Sequence, residues 1–202
     1  MKFGIIIGSH RTKSQSAKAG LYAQASLLNI DADAKFFVFD LASKPLPFWD
    51  EGVLNGSEEW KKTWGPVAAE LKSCDAFVVV APEYHGMVSA ALKNFFLLAS
   101  KEELGHKPGL IVSVSSGKGG AYPVAELRMS SYKNSRLNWI PDHVIVRNAE
   151  NVLNGPTGVG EEDSFIRGRF DYCLRILFEY GKALVKVRES GVVDFKNHPN
   201  GL

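Results

Sequence analysis

Apolar residues along this chain occur in short runs that alternate with helical patterns. Runs that are apolar, or rich in β-branched and aromatic residues, predict strands over residues 2–8, 34–39, 76–81, 110–114 and 144–147. Apolar positions three and four residues apart predict helices over residues 16–29, 89–100, 121–132 and 164–188, and the end of a helix over 67–73. Asp163 or Ser164 is the expected N-cap of the last helix.

This alternation predicts βαβ units and therefore a three-layer α/β fold, with helices on both faces of a parallel sheet. Right-handed crossovers leave few arrangements for five strands, and the flavodoxin-like order 2-1-3-4-5 is the commonest that fits. We expect one domain over residues 1–190 and a C-terminal tail over 191–202. Residues 40–64 and 151–162 are expected to be irregular.

Composition and charge narrow the class of protein. With 202 residues, 45% hydrophobic and 23% charged, the chain suits one well-buried domain. Its net charge of +2 gives no reason to expect a nucleic acid or an anionic membrane as a partner. The five histidines show no metal-ligand spacing, so no metal is expected.

The expected compartment is the cytoplasm. The first apolar run is too short for a signal peptide, and no stretch reaches the length of a membrane span. Cys74 and Cys173 lie far apart in apolar helical stretches, where buried free thiols are the expected state.

In a sheet of this order, ligands bind at the carboxyl edge, between the first and third strands. The loops after the first, third and fourth predicted strands should therefore share a site. The first of these loops carries hydroxyls and a guanidinium ahead of a helix N-terminus, which suits a phosphate: Ser9, Arg11, Ser14, Gln15 and Ser16. Alternatively, Ser14 or Ser16 only caps that helix.

The other two loops combine glycines with residues suited to a flat ligand. They comprise Pro82, Glu83, Tyr84, His85 and Gly86, and then Ser115, Ser116, Gly117, Lys118, Gly119 and Gly120. Glycines let the backbone approach a ring, while free N–H groups bond its polar edge. Each loop taken alone could be an ordinary exposed turn. Together with a phosphate cradle, they favour a mononucleotide, and flavin mononucleotide (FMN) fits best.

Three motifs identify a known family. The first loop fits G-S-x-R-x-x-S-x-N/S, and the second region fits P-E-Y-N-G-S-x-x-x-x-L-K-N through residues 82–86 and 92–94. The third fits a Ser-x-Gly stretch that closes on Gly-Gly-Ala at residues 119–121, and residues 40–51 are also similar. On these motifs, over residues 3–130, the chain resembles the NADPH-dependent FMN reductase family, flavodoxin-like proteins that include quinone, chromate and azo-dye reductases.

The match departs from the family pattern at two positions in the second motif. His85 stands where the family usually has Asn, and Met87 replaces a small residue. The His85 ring could shift the flavin or respond to pH near neutrality.

The resemblance implies bound FMN, with hydride passing from NADPH or NADH through it to a small acceptor: free flavin, a quinone, an azo compound or a metal oxyanion. The flavin carries the chemistry, so no catalytic side chain is expected.

Lys93 and Asn94 are expected to support packing or a subunit contact. Lys118 could attract NADPH phosphates or be merely solvated, and Trp49, Trp60 and Trp64 could line an acceptor pocket or a subunit contact. A homodimer or homotetramer is expected.

Two other functions remain open at this stage. A flavodoxin-type electron carrier would bind FMN without NAD(P)H turnover, although such carriers are usually strongly acidic. A non-enzymatic relative would bind flavin weakly and act as a sensor, but all three loops of this chain are intact.

Overall fold

Five parallel strands form the centre of the structure, a computed structural model that describes residues 1–201. With a short antiparallel strand, β4, the sheet has six strands: β1 (Lys2–Ile7), β2 (Lys35–Asp40), β3 (Ala76–Tyr84), β4 (Met87–Val88), β5 (Pro108–Val114) and β6 (Asn138–Val146). The parallel order is β2-β1-β3-β5-β6, and β4 pairs antiparallel with the end of β3. The predicted fold class and order are confirmed, with β6 as the fifth parallel strand. The five predicted parallel strands are present, and the two-residue antiparallel β4 is a sixth strand that was not predicted.

Helices cover both faces of this sheet. They are α1 (Gln15–Ile30), α2 (Gly52–Asn55), α3 (Glu58–Thr63), α4 (Gly65–Lys72), α5 (Ala90–Leu98), α6 (Lys101–Leu104), α7 (Ala121–Ser130) and α8 (Gly160–Glu189). Because side chains alternate along a strand, Ile5 and Ile7 of β1 belong to the core under α1 and α8, whereas Ile6 belongs to the core under α4, α5 and α7. The strands therefore read as continuous apolar runs.

Two strands extend beyond the runs predicted for them. β3 continues to Tyr84 because its last residues pair with β4 across a turn. β6 begins at Asn138, six residues before the predicted start, and contains Pro141. Proline is tolerated there because β6 is an edge strand, where its missing N–H leaves no ladder bond unmade.

The start of α8 differs from the prediction. The helix begins at Gly160, and neither Asp163 nor Ser164 is its N-cap. Asp163 instead reaches back from inside the first turn, and its carboxylate accepts from the N–H groups of Val159 (3.0 Å) and Leu153 (2.8 Å). Although burial opposes the charged form, these bonds and Arg167 hold the pKa of Asp163 below its usual value.

Of the two stretches expected to be irregular, residues 40–64 contain the short helices α2 and α3, and residues 151–159 lack helix and strand. Residues 191–201 also lack helix and strand, and the Phe195 ring stacks on His106 with centroids 5.8 Å apart. The division of the chain at residue 190 remains a prediction. No helix within residues 1–201 is both long enough and apolar enough to cross a membrane.

Candidate active site

The loops after β1, β3 and β5 meet at the carboxyl edge of the sheet, as predicted. Between them lies a cavity of about 110 Å³. Nine of the predicted site residues line it: Ser9, Arg11, Ser14, Gln15, Ser16, Pro82, Glu83, Tyr84 and Ser116. Val114, at the end of β5, also lines it and was not predicted. The other predicted residues lie in the turn after β3 or in the loop after β5, around this cavity.

The first loop is tied to the second through a buried serine. Ser9 Oγ lies 2.8 Å from the hydroxyl of Tyr84 and accepts from the N–H of Arg11 at 3.2 Å. Farther along, Ser14 is the N-cap of α1 and accepts from Ala17 N–H at 3.1 Å. The capping alternative therefore holds for Ser14 and not for Ser16. Capping does not use up the site, because the positive end of α1 still faces the cavity, with the Arg11 side chain exposed beside it.

The turn between β3 and β4 consists of His85 and Gly86, both with positive φ (50° and 74°). A two-residue hairpin turn with two positive φ values favours Asn followed by Gly. Histidine is also enriched at positive φ among non-glycine residues, so it can replace Asn in this backbone role. The imidazole of His85 is exposed, and the ring of Tyr122 lies against Gly86.

Glu83 joins the second loop to the third. Its Oε2 accepts from the N–H of Gly120 at 2.8 Å and from the hydroxyl of Ser115 at 3.3 Å. A Cβ on Gly119 would lie 2.0 Å from this carboxylate oxygen, so only glycine permits the contact. Gly120 itself has φ of 99°, a conformation that L side chains rarely adopt.

The third loop is held from behind by residues 147–149. The carbonyl of Ser115 accepts from Ala149 N–H (3.1 Å), and that of Gly117 accepts from Asn148 N–H (2.9 Å). Arg147 Nε donates to the carbonyls of Lys118 (2.8 Å) and Gly119 (3.0 Å). With these carbonyls bonded on one side, the N–H groups of residues 116–119 donate to no acceptor within residues 1–201. The loop therefore offers a set of free donors.

Lys18 secures this supporting segment to α1. Its Nζ donates to the carbonyl of Ala149 and to Oδ1 of Asn154, both at 2.6 Å. Burial lowers the pKa of Lys18, while the charges of Asp163 and Glu150 oppose that shift. Sequence reasoning missed both Lys18 and residues 147–149, because bonds to backbone carbonyls of other segments leave no local pattern.

Lys93 and Asn94 have the supporting roles expected of them. Asn94 Nδ2 donates to the carbonyl of Pro47 at 2.7 Å, and its Oδ1 accepts from Trp49 N–H at 2.8 Å. Asn94 thereby fixes the segment after β2 beside the site. Lys93 forms an ion pair with Glu126, whose other oxygen accepts from Val88 N–H at 2.8 Å. Burial alone would raise the pKa of Glu126, but these partners lower it overall.

The tryptophans of this region pack mainly against their own chain. Trp60 is buried, and its Nε1 donates to Asp50 Oδ1 at 2.7 Å. The ring of Trp64 packs edge-on against Phe95 with centroids 6.0 Å apart. These contacts within the chain account for the positions of both rings, so neither ring requires a subunit contact.

The chemistry of these groups fits a mononucleotide with a planar base. A helix N-terminus with Arg11 suits a phosphate, and the free N–H groups of residues 116–119 suit the electronegative edge of a ring. A Cβ at 119 or 120 would collide with Glu83 or Ile145, whereas the space beside Gly117 is open. Within residues 1–201, no group of three or more His, Cys, Asp or Glu side chains is placed to hold a metal ion.

Curated relatives carry names that agree with this chemistry. The chain is 30% identical over 130 residues to the FMN-dependent NADPH-azoreductase of Staphylococcus saprophyticus, a match that covers 64% of this chain and 68% of the relative. The enzyme of the same name from Staphylococcus aureus is 29% identical over the same shares.

Solved structures with lower identity share the fold. FerB, a flavoenzyme NAD(P)H:(acceptor) oxidoreductase from Paracoccus denitrificans, superposes with a TM-score of 0.67 at 19% identity, covering 89% of this chain and 98% of FerB. An FMN-dependent NADH-azoreductase from Bacillus anthracis, solved in complex with FMN, gives 0.59 at 12% identity over 90% and 100% of the two chains.

The family model described as NADPH-dependent FMN reductase matches residues 1–151. The match therefore reaches past the three loops to the segment 147–149 that supports the third loop. Three quarters of the sequence follow the family pattern, and the expected resemblance is confirmed. This chain belongs to the NADPH-dependent FMN reductase family.

Proposed function

We propose that this protein binds FMN in the cavity between the three loops and acts as an NAD(P)H-dependent oxidoreductase on a small acceptor. The observation that carries the proposal is the joining of all three loops around one cavity, through Ser9 with Tyr84 and through Glu83 with Gly120. Family membership supports the cofactor and the donor.

In this proposal each loop has its own part of the cofactor. The loop of Ser9, Arg11, Ser14, Gln15 and Ser16 holds the phosphate at the N-terminus of α1. Residues 82–86 form a wall for the ring. The N–H groups of residues 116–119 donate to the polar edge of the ring, where they favour added negative charge. When bound, FMN supplies the hydride chemistry, accepting from NAD(P)H and passing on to the acceptor.

Two features favour an NAD(P)H-dependent oxidoreductase over a flavodoxin-type electron carrier. The relatives are named as NADPH-azoreductases, and the net charge of +2 does not provide the acidic face typical of carriers. Those names also make azo compounds a candidate acceptor class, beside quinones, free flavin and metal oxyanions.

Turnover tests the function directly. The purified protein loaded with FMN should oxidise NADPH through many cycles when 1,4-naphthoquinone or an azo dye is present, measured as loss of absorbance at the NADPH band. A carrier would give at most one equivalent of oxidation. Failure to take up FMN, or uptake without NADPH oxidation, would contradict the proposal.

The phosphate role of Arg11 predicts a selective loss of affinity. Arg11→Ala should weaken FMN binding about 10- to 100-fold, because a charge-assisted contact is removed. Riboflavin lacks the phosphate and should bind with unchanged affinity, measured by flavin fluorescence quenching. Lys13→Ala, an exposed lysine of the same loop, is the matched control and should change neither constant. Equal losses for both flavins would show that Arg11 does not contact the phosphate.

The support from Arg147 predicts a different pattern. Arg147→Met should weaken FMN and riboflavin by a similar factor, about tenfold, because the loop that it holds faces the ring and not the phosphate. Arg147→Lys should recover part of the loss, since an ammonium can still donate to a carbonyl. The control is Arg175→Met, an exposed arginine on α8. Unchanged affinity for both flavins would remove Arg147 from the site.

We also propose a homo-oligomer, with the face around α7 as its contact surface. Tyr122, Met129 and Tyr132 are 69%, 77% and 47% exposed, and Met87 and Leu97 are exposed on β4 and α5. Apolar side chains at this density favour a protein contact. Light scattering should give at least twice the chain mass, and Met129→Lys should lower it, whereas a monomeric wild type would refute the proposal.

A cytoplasmic location also stays a proposal, supported by two buried free thiols.

A further inference from the structure

A carboxylate lines the cavity in which the proposed function places FMN. Within residues 1–201, Arg11 and Glu83 are the charged side chains that line this cavity, and Arg11 belongs to the loop assigned to the phosphate. Glu83 belongs to the wall assigned to the ring, to which reduction adds negative charge. A carboxylate in a partly buried position repels that added charge. Glu83 therefore acts on the proposed ligand as well as on the third loop.

The hydrogen bonds of Glu83 do not require its charge. Its Oε2 accepts from Gly120 N–H at 2.8 Å and from Ser115 Oγ at 3.3 Å, and the amide oxygen of a glutamine could accept from both donors. The charge itself is favoured there because Gly120 is the N-cap of α7, and the positive end of a helix stabilises an anion. Glutamine would thus serve to join the two loops, whereas the charge acts on α7 and on the ligand.

Arg147 places the opposite charge on the other side of the same loop. Its Nε donates to the carbonyls of Lys118 (2.8 Å) and Gly119 (3.0 Å). The peptide group between residues 119 and 120 is therefore bonded to Arg147 through its oxygen and to Glu83 through its N–H, and these two atoms of a trans peptide point in opposite directions. The N–H of Gly119 is one of the donors that the loop leaves free. A cation bonded to the carbonyl of that peptide group strengthens this donor.

We infer that Glu83 and Arg147 shift the reduction potential of bound FMN in opposite directions. The inference rests on the FMN-binding part of the proposed function. The negative charge of Glu83 lowers the affinity for reduced FMN relative to oxidised FMN, so it lowers the potential. The positive charge of Arg147 and the donors that it strengthens favour reduced FMN, so they raise the potential. Arg147 acts through the backbone of the third loop and is therefore a positioning residue.

The test removes each charge and keeps a side chain that can hydrogen-bond. The variants are Glu83→Gln, Arg147→Gln and the double variant, each loaded with FMN. The measured quantity is the midpoint potential of the bound FMN during anaerobic reduction beside a reference dye. Glu83→Gln should raise the ratio of the affinities for reduced and oxidised FMN about tenfold and Arg147→Gln should lower it about tenfold, each equivalent to about 30 mV for two electrons. The double variant, which loses one charge of each sign, should stay within about twofold of the wild-type ratio.

Matched controls make the same changes of charge far from the third loop. Glu59→Gln on α3 and Arg175→Gln on α8 replace exposed side chains and should leave the ratio within about twofold of the wild type. Arg147→Lys keeps the charge and should also keep the potential. If Glu83→Gln does not fold, the comparison of Arg147→Gln with Arg147→Lys still tests the effect of charge.

The outcomes separate this inference from the function on which it rests. Bound FMN with an unchanged potential in Glu83→Gln and Arg147→Gln, or with shifts of the same sign in both, would overturn the inference and leave the function standing. A lower Tm of Glu83→Gln with an unchanged potential would overturn it too, and would assign the charge to α7 alone. The predicted shifts without NADPH oxidation would overturn the function instead, and a protein that binds no FMN would overturn both.

Discussion

The carboxylate of Glu83 connects the loop after β3 to the loop after β5, and the geometry of the candidate site depends on that connection. Its Oε2 accepts from Gly120 N–H and Ser115 Oγ in a partly buried setting, where hydrogen bonds to a charged group are strong. The contact requires a residue without Cβ at 119. Glu83 thereby anchors both ends of the third loop, and residues 147–149 bond the carbonyls of residues 115 and 117–119.

In the third loop, the backbone carbonyls and the backbone N–H groups therefore have different roles. The carbonyls of the third loop are bonded to Arg147, Asn148 and Ala149, so the N–H groups are left for a ligand. Residues that the family motif groups together have separate tasks: Glu83 and Tyr84 join loops, whereas Asn94 fixes the segment after β2. A flavin that carries its own chemistry needs such positioned donors more than it needs an acid or a base.

The sequence predicted the parallel sheet, its order and the meeting of the three loops, because continuous apolar runs and glycine-bearing strand ends are local patterns. It did not predict β4, since a two-residue strand has no periodicity. The early start of β6 was hidden by Pro141, which lies on an edge strand where the pairing with β5 is irregular. Lys18 and Arg147 were missed because their role lies in contacts with distant backbone carbonyls, which side-chain type does not reveal.

The most direct test of the account is a crystal structure of the protein with FMN bound. The account predicts the phosphate at the N-terminus of α1, within hydrogen-bond distance of Arg11, and the ring between residues 82–86 and 115–120. The bond from Gly120 N–H to Glu83 should be intact, and the N–H groups of residues 116–119 should face the ring. FMN bound away from these loops, or a third loop that releases Glu83 to admit the flavin, would contradict it.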